Sequence, residues 1–253
     1  MLDDLKNKVV LVTGASTGIG AAVVKGFAKA GAKVAVHYGS SKAQAKQVQL
    51  DIENAGGIAQ IFHADVSLTT DNQQLVAAVV KHFGQLDVLI VNAGGLVGRS
   101  GLEEITPEFY GQVMDLNVRS VVDVCAAAMP YLKESKGNVV VTGSLAAHVG
   151  GGAGASIYAG AKAAVHNMVR AYSKQYAADS VRFNIVSPGT IYTLFHQVNT
   201  SPEVLESITT TIPLKRLGTP EDCVGSYLYL ASDQMSGYVT GQAVEVNGGQ
   251  LMP

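Results

Sequence analysis

Tyr158 and Lys162 stand four residues apart, and from Ser156 onward Ile157, Ala161, Ala164, Val165, Met168, Val169 and Tyr172 recur at helical spacing. The two side chains therefore share one helix face. A free phenol, with a pKa of about 10, exchanges protons poorly at neutral pH. A nearby ammonium favours the phenolate and lowers that value, which makes the pair usable as a general acid or base near pH 7. Ser144 follows the apolar run Val139-Val-Val-Thr142 and brings a hydroxyl that can hydrogen-bond an oxygen as it gains charge. Together the three suit proton transfer to a carbonyl or from an alcohol. The same spacing recurs at Tyr38 and Lys42, but only the second copy has a serine-bearing strand end before it.

Such chemistry needs a hydride donor. Lys8 to Thr13 is an apolar run without alternation, as in a strand buried on both faces of a parallel sheet. It leads into Gly14-Ala15-Ser16-Thr17-Gly18-Ile19-Gly20 and then a helix pattern at Val23, Val24, Phe27 and Ala28. Glycines at this turn let backbone N–H groups close on a pyrophosphate, and the following helix N-terminus favours an anion. The spacing is Gly-x-x-x-Gly-x-Gly, distinct from the Gly-x-Gly-x-x-Gly of many dinucleotide folds. The next strand, Lys33 to His37, ends in Tyr38-Gly39-Ser40-Ser41-Lys42, with no Asp or Glu between Ala32 and Ala43. An acid there would bind ribose hydroxyls; hydroxyls and a cation favour the 2′-phosphate of NADP(H) over NAD(H).

Strand and helix patterns alternate throughout. Further strands are expected at Ile58 to His63, ending at Asp65-Val66, and at Leu86 to Val91, closing with Asn92-Ala93-Gly94-Gly95. Val139 to Thr142, Val181 to Val186 and Ala243 to Val246 complete seven. The order predicts an α/β fold, a doubly wound parallel sheet with helices on both faces and ligands at the carboxyl ends of the strands. Thr106-Pro-Glu108, Ser201-Pro-Glu203 and Thr219-Pro-Glu221 each mark a helix start, and a helix is expected over Asn72 to Phe83. Asn117 lies amid Val113, Leu116, Val118 and Val121, where a carboxamide costs propensity and needs partners. It is either half exposed or functionally placed. The stretch from Ile191 to Leu217 has no regular pattern before Ser201 and predicts a substrate lid at about 190–217, offering Tyr192, Phe195 and His196. No repeat or linker interrupts residues 1–253, which predicts a single domain.

Composition narrows the function classes. Hydrophobic residues make up 47%, charged residues 15%, and there are 28 glycines, as in a closely packed α/β protein. Net charge is -2 with scattered basic residues, which predicts no nucleic-acid partner. The apolar runs are too short to span a membrane, and the N-terminus lacks the charged and apolar regions of a secretory signal, so a cytoplasmic protein is expected. Cys125 and Cys223 fall in apolar helical patterns and read as packing residues; the histidines show no metal-ligand spacing, and no metal is expected.

With Thr13-Gly14-x-x-x-Gly18-x-Gly20, Asp65-Val66, Asn92-Ala93-Gly94, Asn117, Ser144, Tyr158-x-x-x-Lys162 and Pro188-Gly189-x-x-x-Thr193 in order, the whole chain resembles the short-chain dehydrogenase/reductase family of the roughly 250-residue type. The resemblance implies a single-domain Rossmann fold and an NAD(P)-dependent alcohol dehydrogenase or ketoreductase. It implies Tyr158 as acid or base, Ser144 fixing the carbonyl oxygen, and Lys162 binding nicotinamide ribose while depressing the tyrosine. Asn117 would hold a water in a proton relay. Gly14, Ser16, Thr17, Gly18, Ile19 and Gly20 would cradle the cofactor, with Tyr38, Ser40, Ser41, Asp65, Val66, Asn92, Ala93, Gly94, Pro188, Gly189, Ile191 and Thr193 completing its site. A homotetramer through the Asn117 and Tyr158 helices follows by the same resemblance. The substrate is a small carbonyl or alcohol, with a 3-oxoacyl thioester or a sugar or polyol as alternatives; a non-catalytic dinucleotide sensor is the reading from a different class. The loop Gly150 to Ala155 is smaller than usual, and Ser144 to Tyr158 one residue longer, which predicts a widened substrate pocket.

Overall fold

The computed structural model describes residues 2–253. Seven apolar runs form seven strands: β1 Val9–Val12, β2 Lys33–Tyr38, β3 Ile58–His63, β4 Val88–Val91, β5 Asn138–Thr142, β6 Arg182–Pro188 and β7 Ala243–Val246. They lie in one parallel sheet in the order β3-β2-β1-β4-β5-β6-β7. β1, β4, β5 and β6 are buried along their whole length, which is why their sequences show no alternation. The strand order reverses between β1 and β4, opening a crevice at the carboxyl ends.

Around the sheet run α1 Gly18–Lys29, α2 Lys42–Asn54, α3 Thr69–Phe83, α4 Pro107–Met114, α5 Ser120–Ser135, α6 Ala146–Val149, α7 Ser156–Gln175, α8 Leu194–Asn199, α9 Pro202–Thr211 and α10 Pro220–Ala231. One face buries Val24, Phe27, Ile52, Cys223 and Tyr227 from α1, α2 and α10. The other buries Leu75, Val79, Val124, Leu132, Val165 and Val169 from α3, α5 and α7. Each such side chain contributes roughly 1.5–3 kcal/mol. This is a doubly wound Rossmann fold. Cys125 and Cys223 are buried, and burial pushes both thiols up to about 12.

The marked helix starts form: Thr106 Oγ1 accepts from Phe109 N–H at 3.2 Å, Ser201 Oγ from Val204 N–H at 3.4 Å, and Asp222 Oδ2 from Thr219 N–H at 2.7 Å. Helix α3 begins three residues before the expected Asn72. Asn72 Nδ2 donates back to the Val66 and Leu68 carbonyls, so it ties the preceding turn from inside the helix. A six-residue helix, α8, occupies the stretch without visible periodicity; it is too short to show a period. Between α4 and α5 the chain does not stop but makes a π turn, Asp115–Arg119, with Asn117 at its centre.

Candidate active site

The β1–α1 turn is locked from behind. Thr13 Oγ1 accepts from the Asn92 and Ala93 N–H groups at 2.9 and 3.0 Å, and Asn92 Nδ2 donates to the Thr13 and Gly14 carbonyls, each at 3.0 Å. Gly14 and Gly18 have φ of +64° and +55°, open to glycine at little cost. A Cβ at Gly20 would collide with the Gly14 carbonyl and lie 2.6 Å from Asn92 Nδ2, so Gly20 supports the turn from beneath rather than lining the cleft. Thr17 is extended and makes no side-chain cap, which leaves first-turn N–H groups of α1 to the cleft. His37, at the end of β2, accepts from Gly14 N–H through Nδ1 at 2.9 Å, and its Nε2 lies 3.1 Å from the Ala64 carbonyl. That pairing requires the neutral ring with its proton on Nε2, and burial pushes the imidazole down to about 4.

The turn opens into a cleft of about 1240 Å³, large enough for a dinucleotide and a second molecule. Ser144, Tyr158 and Lys162 line it. Gly143 is required before Ser144 because the His166 ring and Ile185 fill the space a side chain would need. Ser144 Oγ accepts from Ala146 N–H at 3.1 Å. Lys162 is 4% exposed; its Nζ donates to the Thr142 carbonyl at 2.8 Å and lies 5.9 Å from the centre of the Tyr158 ring. The two side chains are on the same side of α7, as their spacing implies.

The electrostatics differ from the expected ones. Burial raises the Tyr158 phenol above its ordinary value, and the Ser144 hydroxyl draws it only partly back. Burial also pushes Lys162 down from 10.5 to about 8, with no carboxylate opposing it. The expected lysine-driven depression is thus replaced by an upward shift, because desolvation of the phenol dominates while the ammonium turns toward Thr142. At neutral pH Tyr158 is therefore a neutral phenol.

Asn117 sits inside the π turn. Its side chain does not reach the cleft; Leu116 lines it instead. The buried carboxamide accepts from Gly95 N–H at 3.0 Å and donates to the Gly95 and Val113 carbonyls at 2.8 and 2.9 Å. Both amide hydrogens are spent on backbone, so the side chain clamps the loop after β4. A Cβ at Gly94 would lie 2.9 Å from Asn117 Oδ1 and 3.4 Å from Lys162 Nζ, so only glycine lets that loop pass.

Gly14, Ser16, Thr17, Gly18 and Ile19 line the same cleft, as do Ser40, Ser41, Asp65, Val66, Asn92, Ala93 and Gly94. Pro188, Gly189, Ile191 and Thr193 line it at and just beyond the end of β6. Asp65 accepts from the Ser67 N–H and hydroxyl, which hold its carboxyl below the usual range. Like Gly20, Tyr38 does not line it: it packs into the core against His63, ring centres 5.4 Å apart, and the neighbouring His37 and Gly39 face the cleft in its place. Tyr192 is turned out to solvent, 49% exposed, whereas Phe195 and His196 line the cleft. Sequence reasoning missed His37, Leu96, Arg99 and Gln250. Only Arg99 left a signal, a lone cation in the glycine-rich run Gly94 to Gly101.

The residues fit a nicotinamide dinucleotide: a glycine cradle no side chain could enter, uncapped N–H groups, and an acid and hydroxyls at the ribose end. A family model described as Enoyl-(Acyl carrier protein) reductase matches residues 14–250. The 3alpha-hydroxysteroid dehydrogenase of Mediterraneibacter gnavus is 35% identical over 96% of this chain and 97% of its own. The 3-oxoacyl-[acyl-carrier-protein] reductase of Synechocystis sp. is 35% identical over 98% of each. Among solved structures, the NADH-dependent reductase A1-R′ responsible for alginate metabolism is 42% identical, with a TM-score of 0.92 over 99% of this chain and 100% of that one. Its complex with NAD superposes with a TM-score of 0.90 at 41% identity, over 100% of each chain.

Proposed function

The chain belongs to the short-chain dehydrogenase/reductase family, a family of oxidoreductases, and on that premise we propose that it interconverts a secondary alcohol and a ketone. A bound nicotinamide dinucleotide supplies or accepts the hydride. The turn Gly14 to Gly20 would hold its pyrophosphate, Asp65 and Asn92 its adenosine side and the turn beneath it, and Lys162 its nicotinamide ribose. Ser144 and Tyr158 address the substrate oxygen. In reduction the phenol, kept protonated by burial, donates its proton as that oxygen gains charge, and the buried Lys162 ammonium favours the phenolate left behind. In oxidation the same groups run in reverse.

The observation that carries this reading is the convergence of Ser144, Tyr158 and Lys162 on the cleft that the glycine turn opens. Tyr158→Phe tests it: turnover, followed at 340 nm over a ketone and alcohol panel, drops by about 10²–10⁴-fold while cofactor binding persists. Retained turnover overturns the role.

For the cofactor, Ser40 and Ser41 in the cleft, exposed Lys42 beside them and the lack of an acid at the β2 end support NADP(H). The NADH-dependent relative supports NAD(H), and running the panel with both decides it. For the substrate we favour a small ketone, sugar or polyol; the Synechocystis relative keeps a 3-oxoacyl thioester as the second choice. Residues 190–217, carrying α8 and α9, act as its lid, with Phe195, Val204 and Ile208 over the cleft. Assembly is a homotetramer through the helices that carry Asn117 and Tyr158.

A further inference from the structure

The cleft is lined by few charged side chains. Asp65 is the one carboxylate that lines it, and it belongs to the end near Ser40 and Ser41. At the other end, by the lid, stands Arg99. Among the described residues Arg119, Arg182 and Arg216 are each ion-paired, Arg99 and Arg170 are in no ion pair, and of those two Arg99 alone lines the cleft. Its guanidinium is held by two backbone carbonyls: Nη1 donates to Ala153 at 2.6 Å and Nε to Asn199 at 3.4 Å. Nη2 makes no hydrogen bond. The small loop between Ser144 and Tyr158 is shaped to admit this side chain. A Cβ at Gly154 would lie 2.9 Å from the Arg99 Cβ, and one at Gly152 would lie 3.4 Å from its Nη1.

Ring contacts lead from the phenol toward the lid on this side of the cleft. The Phe195 ring lies 6.0 Å from the Tyr158 ring, the His196 ring 5.0 Å from Phe195, and His196 in turn feels the Arg99 charge. Helix α8 thus carries Phe195 beside the phenol and, at its end, the Asn199 carbonyl that Arg99 bonds.

We propose that Arg99 receives an anionic oxygen group of the substrate, several bonds from the carbonyl that Tyr158 protonates, and so selects acids over neutral ketones. The assignment rests on the carbonyl-reductase reading and names the substrate class that reading leaves open. The free N–H groups of a guanidinium held at two other points form a planar fork for such an anion. Its source is the carboxylate of an oxo acid or the phosphate of a phosphopantetheine thioester.

The test compares charged and neutral partners on wild type, Arg99→Gln and Arg99→Lys. One pair is 5-oxohexanoate with its methyl ester; the other is the 3-oxobutyryl thioester of phosphopantetheine with that of N-acetylcysteamine. The readout is the ratio of kcat/KM, charged over neutral, within each pair. Wild type favours the charged member, and Arg99→Gln lowers that ratio fivefold or more in the pair matching the natural anion, with partial rescue by lysine. A smaller fall in both pairs overturns the assignment, because a side chain that only latches the lid to the glycine loop would slow both members alike. If wild type reduces no carbonyl compound, the functional reading fails on its own. Glutarate and its diamide, titrated against the holoenzyme by calorimetry, then decide Arg99: equal affinities, or a preference for the acid that survives Arg99→Gln, overturn it.

Discussion

Lys162→Met separates what this ammonium does for chemistry from what it costs the fold. Burial drops Lys162 from 10.5 to about 8 while one neutral acceptor, the Thr142 carbonyl, faces it. At about 1.4 kcal/mol per tenfold change in proton affinity, keeping it charged costs the folded state roughly 3 kcal/mol. The folded value is the lower one, so between pH 8 and 10.5 the unfolded chain keeps a proton that the folded chain has lost. Wild-type stability contributed by this group therefore rises with pH across that window, and below pH 8 the cost is present in full. Methionine has similar length and no charge; it removes that cost but strands the Thr142 carbonyl, a penalty of about 1–3 kcal/mol. Near neutral pH the variant should match or slightly exceed wild type in stability while losing at least about 10²-fold in kcat/KM. The sharper readout is pH. Urea unfolding by circular dichroism, at fixed protomer concentration and at pH 7 to 10.5, should show wild type gaining roughly 3 kcal/mol on Lys162→Met. Parallel stability curves for the two proteins over that range would refute the buried-ammonium account.

Gly20→Ala places a methyl against the Gly14 carbonyl and Asn92 Nδ2. It should destabilise by about 1–3 kcal/mol despite the helix preference for alanine, and weaken dinucleotide binding, measured by nicotinamide fluorescence, at least tenfold. His37 and His166 are both pushed down from 6.5 to about 4 by burial, so above pH 6.5 neither affects stability. As pH falls from 6.5 to 4 the unfolded chain takes up their protons first and stability drops, by roughly 3 kcal/mol for each. His166→Phe should recover about half of that acid loss in unfolding at pH 4 and 7. Light scattering at micromolar protomer concentration should give the mass of four chains, and a monomer would refute the proposed assembly.

The fold was legible because its signals are local. Strands buried on both faces are runs without alternation, as in Val9–Val12 and Val88–Val91, and three helices announce their starts with a hydroxyl before proline. Tyr158 and Lys162 were legible for the same reason, since four-residue spacing on a helix is a local fact, and Ser144 because it closely follows a buried strand. The rest of the site depends on side chains bonding backbone across long stretches of chain: Asn92 to Thr13 over 79 positions, Asn117 to Gly95 over 22, Arg99 to Ala153 over 54. No periodicity encodes such pairs. The direction of the Tyr158 shift was hidden too, because it follows from how much water the fold excludes, whereas sequence shows only which charges are near.

Two departures from ordinary packing meet at Gly94. On one side the α4–α5 helix leaves its regular ladder in a π turn, and the Asn117 carboxamide inside that turn grips Gly95. On the other side Lys162 sits desolvated with one carbonyl for company. Pairing Lys162 with a buried carboxylate would be the simple way to relieve its desolvation, but the pair would be neutral overall and its pull on a phenolate beside it would largely cancel. An ammonium held by a dipole keeps its full charge for the neighbouring oxygen. The Asn117 clamp then supplies by hydrogen bonding the rigidity that an ion pair would have provided, holding the loop against Lys162 without neutralising it.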